Sequence, residues 1–401
     1  MRTITQANSR HGVWLAFLLI PLSGLATDIY LPSLPSIALA MGGSPSAVQL
    51  SLTIFLVGYG VGQLFIGNFM DSFGRYRIAV IALFLFGLSS LLIAFTHSIV
   101  VLNLLRLAQG LLAAVVVVAK RTFFVDVFTG ATLRRYLSSF TIAWSMGPIV
   151  APFIGGYLQT GFGWQANFLF LAAFAWIALI FEVLHGGETL RAPVPFRARD
   201  ILSRYRTMLT HAAFLRGLLN VGIPYSSVMA FSMVSPFLIE HVYGLSPQVT
   251  GYAALVMGLA WMTGGFVARS QLQRGLLDKH VRAVFFMGIV AGTMALVSWK
   301  WSNVYTLVLF AYLVHAACGM VFNIYFSECL GMFPQFAGLS GGLTGGVAFM
   351  LTSALSYAAV TMLDVHSQQG MAEVYLLFAA ALVLTGAWAW LAGHHAPGKA
   401  S

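Results

Sequence analysis

Twelve long apolar runs, separated by short polar intervals, dominate the chain. They fall at about 12–33, 48–67, 78–97, 101–122, 136–158 and 164–185, then at about 212–238, 249–268, 282–300, 304–327, 338–361 and 372–393. Each is close to the roughly 20 residues a helix needs to cross a hydrocarbon core about 30 Å thick. The runs are continuously apolar and lack the every-second-residue alternation of an outer-membrane strand. The pattern predicts an all-α membrane protein of twelve transmembrane helices. The first run superficially imitates a secretory signal, with Arg10 before it and Ala38-Leu39-Ala40 after it. It is too long for one, and Asp28, Pro32 and Pro35 interrupt it, so it reads as the first span.

The longest hydrophilic interval, about 186–211, carries five arginines and two prolines near the middle of the chain. It divides the sequence into a six-helix half (1–185), a linker (186–211) and a second six-helix half (212–401). Two such halves are the pattern of a secondary transporter with its substrate site near the bilayer midplane. Within the linker, Ala198 to Met208 suits either a short amphipathic helix on the inner leaflet or a plain solvated connection.

Charge placement supports this span count. Arg2, Arg10, Arg75, Arg77, Lys120, Arg121, Arg134, Arg135, the six arginines from Arg191 to Arg216, the group from Arg269 to Arg282, and Lys399 all fall on one side of the alternating loops. Those are 19 of 21 Lys and Arg; Lys300 lies on the other side and Arg106 inside a span. The positive-inside rule then puts both termini in the cytoplasm, expected to be that of a bacterial inner membrane. It also accounts for the net charge of +10 without nucleic acid.

Only 8% of residues are charged and 59% are apolar. That is too thin a charged skin for a soluble protein of 401 residues. Gly338-Leu339-Ser340-Gly341-Gly342 matches a nucleophile-elbow spacing, but it opens a membrane helix rather than a strand-turn-helix. No phosphate-binding G-x-x-x-x-G-K-[ST] loop is present. Cys318 and Cys329 match no metal or redox spacing. The expectations are no enzyme activity, no cofactor, no metal, and transport driven by a gradient.

Between the second and third runs the chain reads Gly67-Asn-Phe-Met-Asp71-Ser-Phe-Gly74-Arg75-Tyr-Arg77. Gly67 would permit close helix approach, Gly74 a left-handed turn, and Asp71 pairing with a cation or a helix N-terminus. This loop resembles the signature loop of the major facilitator superfamily. Arg106-Leu-Ala-Gln109-Gly110, Trp164-Gln-Ala-Asn-Phe168 and Gly187-Glu188-Thr189-Leu190 resemble further elements of that family. Gly147, Pro148, Pro152, Gly155 and Gly156 resemble the motif associated with its antiporters. Thr27-Asp28-Ile-Tyr30-Leu31-Pro32 and Phe333-Pro334-Gln-Phe-Ala337-Gly338 are similar to the bicyclomycin/chloramphenicol-resistance type within the drug:proton antiporter branch. The chain departs from that type at Val125, where an arginine is usual, and at Gln165. Its second-half copy of the signature loop, Gly265 to Arg269, lacks the acid.

A charge at a helix centre costs about 2.5–3.5 kcal/mol on insertion scales, so each one marks a candidate site. Asp28 and Arg106 are the proton-coupling candidates, expected to pair. Gly67, Asp71, Gly74, Arg75 and Asp126 are the candidates for a cytoplasmic gate, with Asp126 expected to reach Lys120 or Arg121. Arg106, Gln109, Ala113, Val117 and Lys120 share one stripe of the fourth span and would either line a passage or, at Lys120 and Arg121, mark the interface. Glu182 and Glu328 are expected in interfacial solvent. Tyr30, Tyr59, Trp144, Tyr225 and Phe237 complete a candidate pocket for amphipathic compounds. The implied function is export of small organic compounds in exchange for protons by a monomer in the lipid bilayer. A dedicated exporter of a siderophore or other acidic metabolite is the first alternative, and a proton-coupled importer the second.

Overall fold

The structure is a computed structural model and describes residues 3–190, 192–193, 195–271, 273–333 and 337–394. Arg2, Arg191 and Lys399 of the basic residues, and Pro334 to Phe336 of the motif before the eleventh run, lie outside the described residues. Among the described residues, helices account for every element apart from an isolated bridge between Thr3 and Glu188.

The first run folds as a broken rod, α1 (Arg10–Leu19), α2 (Leu22–Asp28), a 3-10 turn (Leu31–Ser33) and α3 (Leu34–Ala40). Pro21, Pro32 and Pro35 sit at the breaks. There follow α4 (Pro45–Phe73), α5 (Tyr76–Phe95), α6 (Ile99–Val127), α7 (Gly130–Phe162), α8 (Gln165–His185) and the linker helix α9 (Ala198–Leu209). The remaining helices are α10 (Ala212–Phe237), which runs into a π turn at Leu238–Val242, then α11 (Pro247–Ser270), α12 (Leu276–Ser298), α13 (Val304–Met332), α14 (Ala337–Met362) and α15 (Gln368–His394). Among the described residues, eleven segments are long and apolar enough to cross a membrane. The fifth run folds as α7, a single helix of 33 residues and long enough to cross as well. The twelve-helix reading therefore holds.

Several helices outrun their apolar runs because polar caps set their ends. Ser44 accepts from the Ala47 amide at 3.2 Å with Pro45 in the first turn of α4, and Asn303 accepts from Tyr305 and Thr306, each at 3.0 Å. Gly74 ends α4 at φ +94°, a backbone that side-chain-bearing residues rarely adopt.

The chain divides into two compact units, Met1–Arg199 with Leu245–Leu255, and Asp200–Gly244 with Val256–Ser401. In the first, α4 packs along α6, α5 along α6 and α8, and α2 along α7. Small residues permit this: a Cβ on Gly110 would strike the Phe55 carbonyl, and one on Gly58 the Leu107 carbonyl. In the second, α10 packs against α13 and α14, and α12 against α15. There Gly264 and Gly319 allow the same close approach between α11 and α13. The linker helix α9 buries Tyr205 and Met208 and exposes Leu202, Arg204 and Arg206. Burial pushes the Tyr205 phenol up to about 12.

Candidate functional site

Arg106 is completely buried in the first unit, at the junction of α2, α4 and α6. One Nη donates to the Ala26 carbonyl at 2.9 Å and to Gln109 Oε1 at 2.9 Å. Gln109 in turn donates to Ser90 Oγ at 2.7 Å, tying α6 to α5. The guanidinium carbon lies 4.2 Å from the Phe55 ring centre and 4.5 Å from that of Tyr30. A desolvated cation–π contact is worth about 2 kcal/mol, so two of them offset the roughly 3 kcal/mol insertion penalty. Ala26 lies in the last turn of α2, where carbonyls lack in-helix donors and the macrodipole favours a cation. The arginine therefore acts as a cap on the broken first span.

Asp28 ends α2 and is 4% exposed, and its Oδ2 has no hydrogen-bond partner. It lies within electrostatic reach of Arg106. The expected ion pair between them is not formed; the arginine takes the carbonyl two residues earlier instead. The neighbouring Tyr30 hydroxyl meets Ser51 Oγ at 2.9 Å, which leaves Tyr30 in the core of the unit rather than on a pocket wall.

At the end of the unit that carries the signature loop, four chain segments converge on charge. Arg75 pairs with Asp71 at 2.7 Å and with Asp126 of α6. Thr189 Oγ donates to Asp126 Oδ2 at 2.8 Å. Glu188 accepts from the backbone amides of Arg75 at 3.1 Å and Tyr76 at 3.3 Å, so its carboxylate caps the N-terminus of α5. Of the gate candidates, Asp71, Gly74, Arg75 and Asp126 meet here. Asp126 does not reach Lys120 or Arg121, because Arg75 occupies it. Gly67 does not mediate the close approach expected of it: a Cβ there would meet open space.

Lys120 pairs with Glu182 of α8 at 2.7 Å, and both side chains are buried. Glu182 is thus not in interfacial solvent, whereas Glu328 is exposed. The pair lines a small cavity with Arg75, Tyr76 and Thr189. Gln109, Ala113, Val117 and Lys120 are all buried, so their stripe faces the helices of its own unit and lines no open passage there.

The glycines and prolines of α7 pack on the broken first span. Gly147 lies against Pro21 and Gly24, Pro148 against Gly24, and Gly155 against the Ile29 carbonyl. Gly156 and Pro152 abut the first turns of α11, at Pro247 and Gly251, and the hydroxyls of Tyr157 and Tyr252 meet at 2.6 Å.

Trp144 donates to Ser23 Oγ at 3.2 Å, and the Tyr59 hydroxyl is within hydrogen-bonding reach of Ser23, Gln63 and Trp144. In the second unit Tyr225 sits among Trp261, Phe322 and Phe349, with ring centres 5.7–5.9 Å away. Phe237 lies apart from them, beside His241 at 5.9 Å.

Sequence reading missed the three rings around Tyr225, which come from α11, α13 and α14 and share no local spacing. It also missed His315, wholly buried in α13 with Nε2 3.1 Å from the Tyr375 hydroxyl. The rule that singled out Arg106, an ionisable group inside an apolar run, was enough to find it.

Long apolar helices in two units, with buried charge inside the spans, define a multi-pass membrane protein among the described residues. The chain belongs to the Major Facilitator Superfamily, whose family model matches residues 16–357. It is 32% identical to the uncharacterized MFS-type transporter YdgK of Bacillus subtilis, over 85% of this chain and 87% of that one. It is 29% identical to multidrug resistance protein D of Escherichia coli (82% and 83% covered). It is 30% identical to the bicyclomycin resistance protein homolog of Haemophilus influenzae (56% and 57% covered). These relatives bear out the resemblance to the bicyclomycin-resistance type. The crystal structure of a D-xylose–proton symporter superimposes with a TM-score of 0.75 at 13% identity, covering 94% of this chain and 97% of that one, and so shares the fold.

Proposed function

We propose that the protein is a proton-coupled antiporter. It exports small amphipathic organic compounds across a bacterial inner membrane by alternating access, as a monomer with both termini in the cytoplasm. The observation that carries the reading is that two unlike intramembrane charges lie within electrostatic reach of each other in one unit without forming an ion pair. Arg106 is held permanently by a carbonyl and two rings, while Asp28 keeps a carboxylate oxygen free beside it. A fixed cation next to an uncommitted carboxyl suits a group that takes up and releases a proton. On this reading the two six-helix halves, 1–185 and 212–401, are the moving bodies and 186–211 their connection. The Arg75 cluster is the gate at the cytoplasmic end. The glycine and proline positions of α7 support the antiporter reading through their close fit on the first span.

Tyr225, Trp261, Phe322 and Phe349 offer apolar ring faces suited to amphipathic compounds. The names of the multidrug and bicyclomycin resistance relatives support the same substrate class. The test is accumulation of a panel of antibiotics and dyes in cells with and without the protein. Lower accumulation of several compounds, abolished by Asp28→Asn and by a protonophore, is expected. Unchanged accumulation of every compound, or raised uptake, overturns export.

A further inference from the structure

One short stretch after α8 holds both sides of the Arg75 cluster. Glu188 takes the Arg75 and Tyr76 amides on its carboxylate, and Thr189 donates to Asp126. That stretch is held in turn by the segment ahead of α1. The Ile4 amide donates to the Glu188 backbone carbonyl at 2.9 Å, and Thr3 and Glu188 form the isolated parallel bridge. Thr3 and Thr5 are exposed while Ile4 between them is buried, the alternation of an extended segment laid on a surface. The Ile4 side chain belongs to the apolar cluster of Phe123, Phe124 and Phe128 at the end of α6. It also forms part of the wall of the cavity that Lys120 and Glu182 line.

The first residues of a domain are ordinarily poorly ordered unless tied down. Here the segment is braced within itself. The Thr5 amide donates to Asn8 Oδ1 at 2.7 Å, Asn8 Nδ2 donates to the Thr3 carbonyl at 3.2 Å, and Ser9 Oγ donates to the Gln6 carbonyl at 2.8 Å. The chain thus turns once and enters α1 directly. A second tie follows on α1, where His11 stacks on His185 of α8 with ring centres 4.9 Å apart.

From this chain of contacts we infer that Ile4 is a positioning residue of the cytoplasmic gate. Its side chain anchors the segment on α6, and its amide fixes the backbone of Glu188. Glu188 then holds the start of α5, and Thr189 holds Asp126 beside Arg75. The inference rests on reading the Arg75 cluster as the gate, and it adds the segment ahead of α1 to that gate.

Two substitutions separate the two ties. Ile4→Pro removes the amide hydrogen and keeps an apolar side chain, whereas Ile4→Ser keeps the amide and removes the apolar anchor. Amide hydrogen exchange is followed by mass spectrometry on the full-length protein in nanodiscs. Each variant is expected to speed exchange of the Arg75 and Tyr76 amides about tenfold, the factor that accompanies loss of one hydrogen bond, and to leave the amides of α12 within about twofold of the wild type. Ile4→Val is expected to exchange as the wild type does. Acceleration in one variant alone supports the inference and assigns it to that tie. Unchanged exchange at Arg75 and Tyr76 in both variants overturns it, and so does equal acceleration in α12, which marks general loosening. Initial efflux rates for the antibiotics and dyes of the accumulation panel keep the gate reading separate. Faster exchange at Arg75 and Tyr76 with slowed efflux supports both readings. Faster exchange there with unaltered efflux overturns the gate reading and leaves Ile4 as a support of the loop alone.

Discussion

Replacing Glu182 with glutamine keeps the shape of the side chain but removes the charge that Lys120 faces at 2.7 Å. The two side chains are only 7% and 5% exposed, so the lysine left behind has little water to turn to. Removing one partner of a buried pair costs about 3–5 kcal/mol, against at most about 1 kcal/mol for an exposed pair. For a cooperative unit of about 200 residues, each kcal/mol moves the melting temperature by roughly 2–4 °C. Glu182→Gln is therefore expected to melt roughly 6–20 °C below the wild type. Lys120→Met combined with Glu182→Leu removes both charges and is expected to recover most of that loss, because apolar residues of similar volume replace a buried pair at little cost. The assay is a thermal scan of intrinsic fluorescence in one detergent at one scan rate, since unfolding of such proteins is commonly irreversible. A loss below about 2 °C in Glu182→Gln, or a double variant as unstable as the single one, would refute the reasoning that this charge is sealed from water.

A Cβ on Gly155 would collide with the Ile29 carbonyl, whereas one on Gly161 meets nothing, so Gly155→Val should abolish export and lower the melting temperature while Gly161→Ala does neither. Arg75→Ala leaves Asp71 and Asp126 side by side without their cation, and export is expected to fall about tenfold or more at unchanged membrane abundance, as measured by initial efflux rates. Arg106→Ala removes the α2 cap and both ring contacts and should destabilise more than Arg106→Lys, whose cation keeps part of each; comparable melting of the two variants counts against the cap.

The helices were legible because each apolar run carries its own period and length, and the bilayer imposes both. The Asp71–Arg75 pair was legible for a similar reason, since a four-residue spacing puts both side chains on one face of a helix. What lay beyond reach was pairing across the fold. Arg75 found Asp126, Lys120 found Glu182, and Glu188 found the amides that begin α5, contacts spanning tens to more than a hundred residues. Asp126 illustrates the difficulty: two cations stand five and six residues before it on α6, yet the tertiary arrangement gives it to a third. Arg106 was conspicuous as a charge in an apolar run, but its partners are a backbone carbonyl and two ring faces. A carbonyl leaves no mark in a sequence, so Asp28, an acid that lies inside another apolar run, took its place in the expectation.

The most direct test of the account uses inverted membrane vesicles whose lumen has been acidified by respiration, with a fluorescent dye reporting the proton gradient. Addition of a transported compound is expected to release lumenal protons, and so to recover dye fluorescence, in proportion to uptake of the compound. Asp28→Asn vesicles are expected to show no such recovery. Uptake that proceeds at full rate without a gradient, or a gradient left undisturbed while the compound enters, would contradict proton-coupled export.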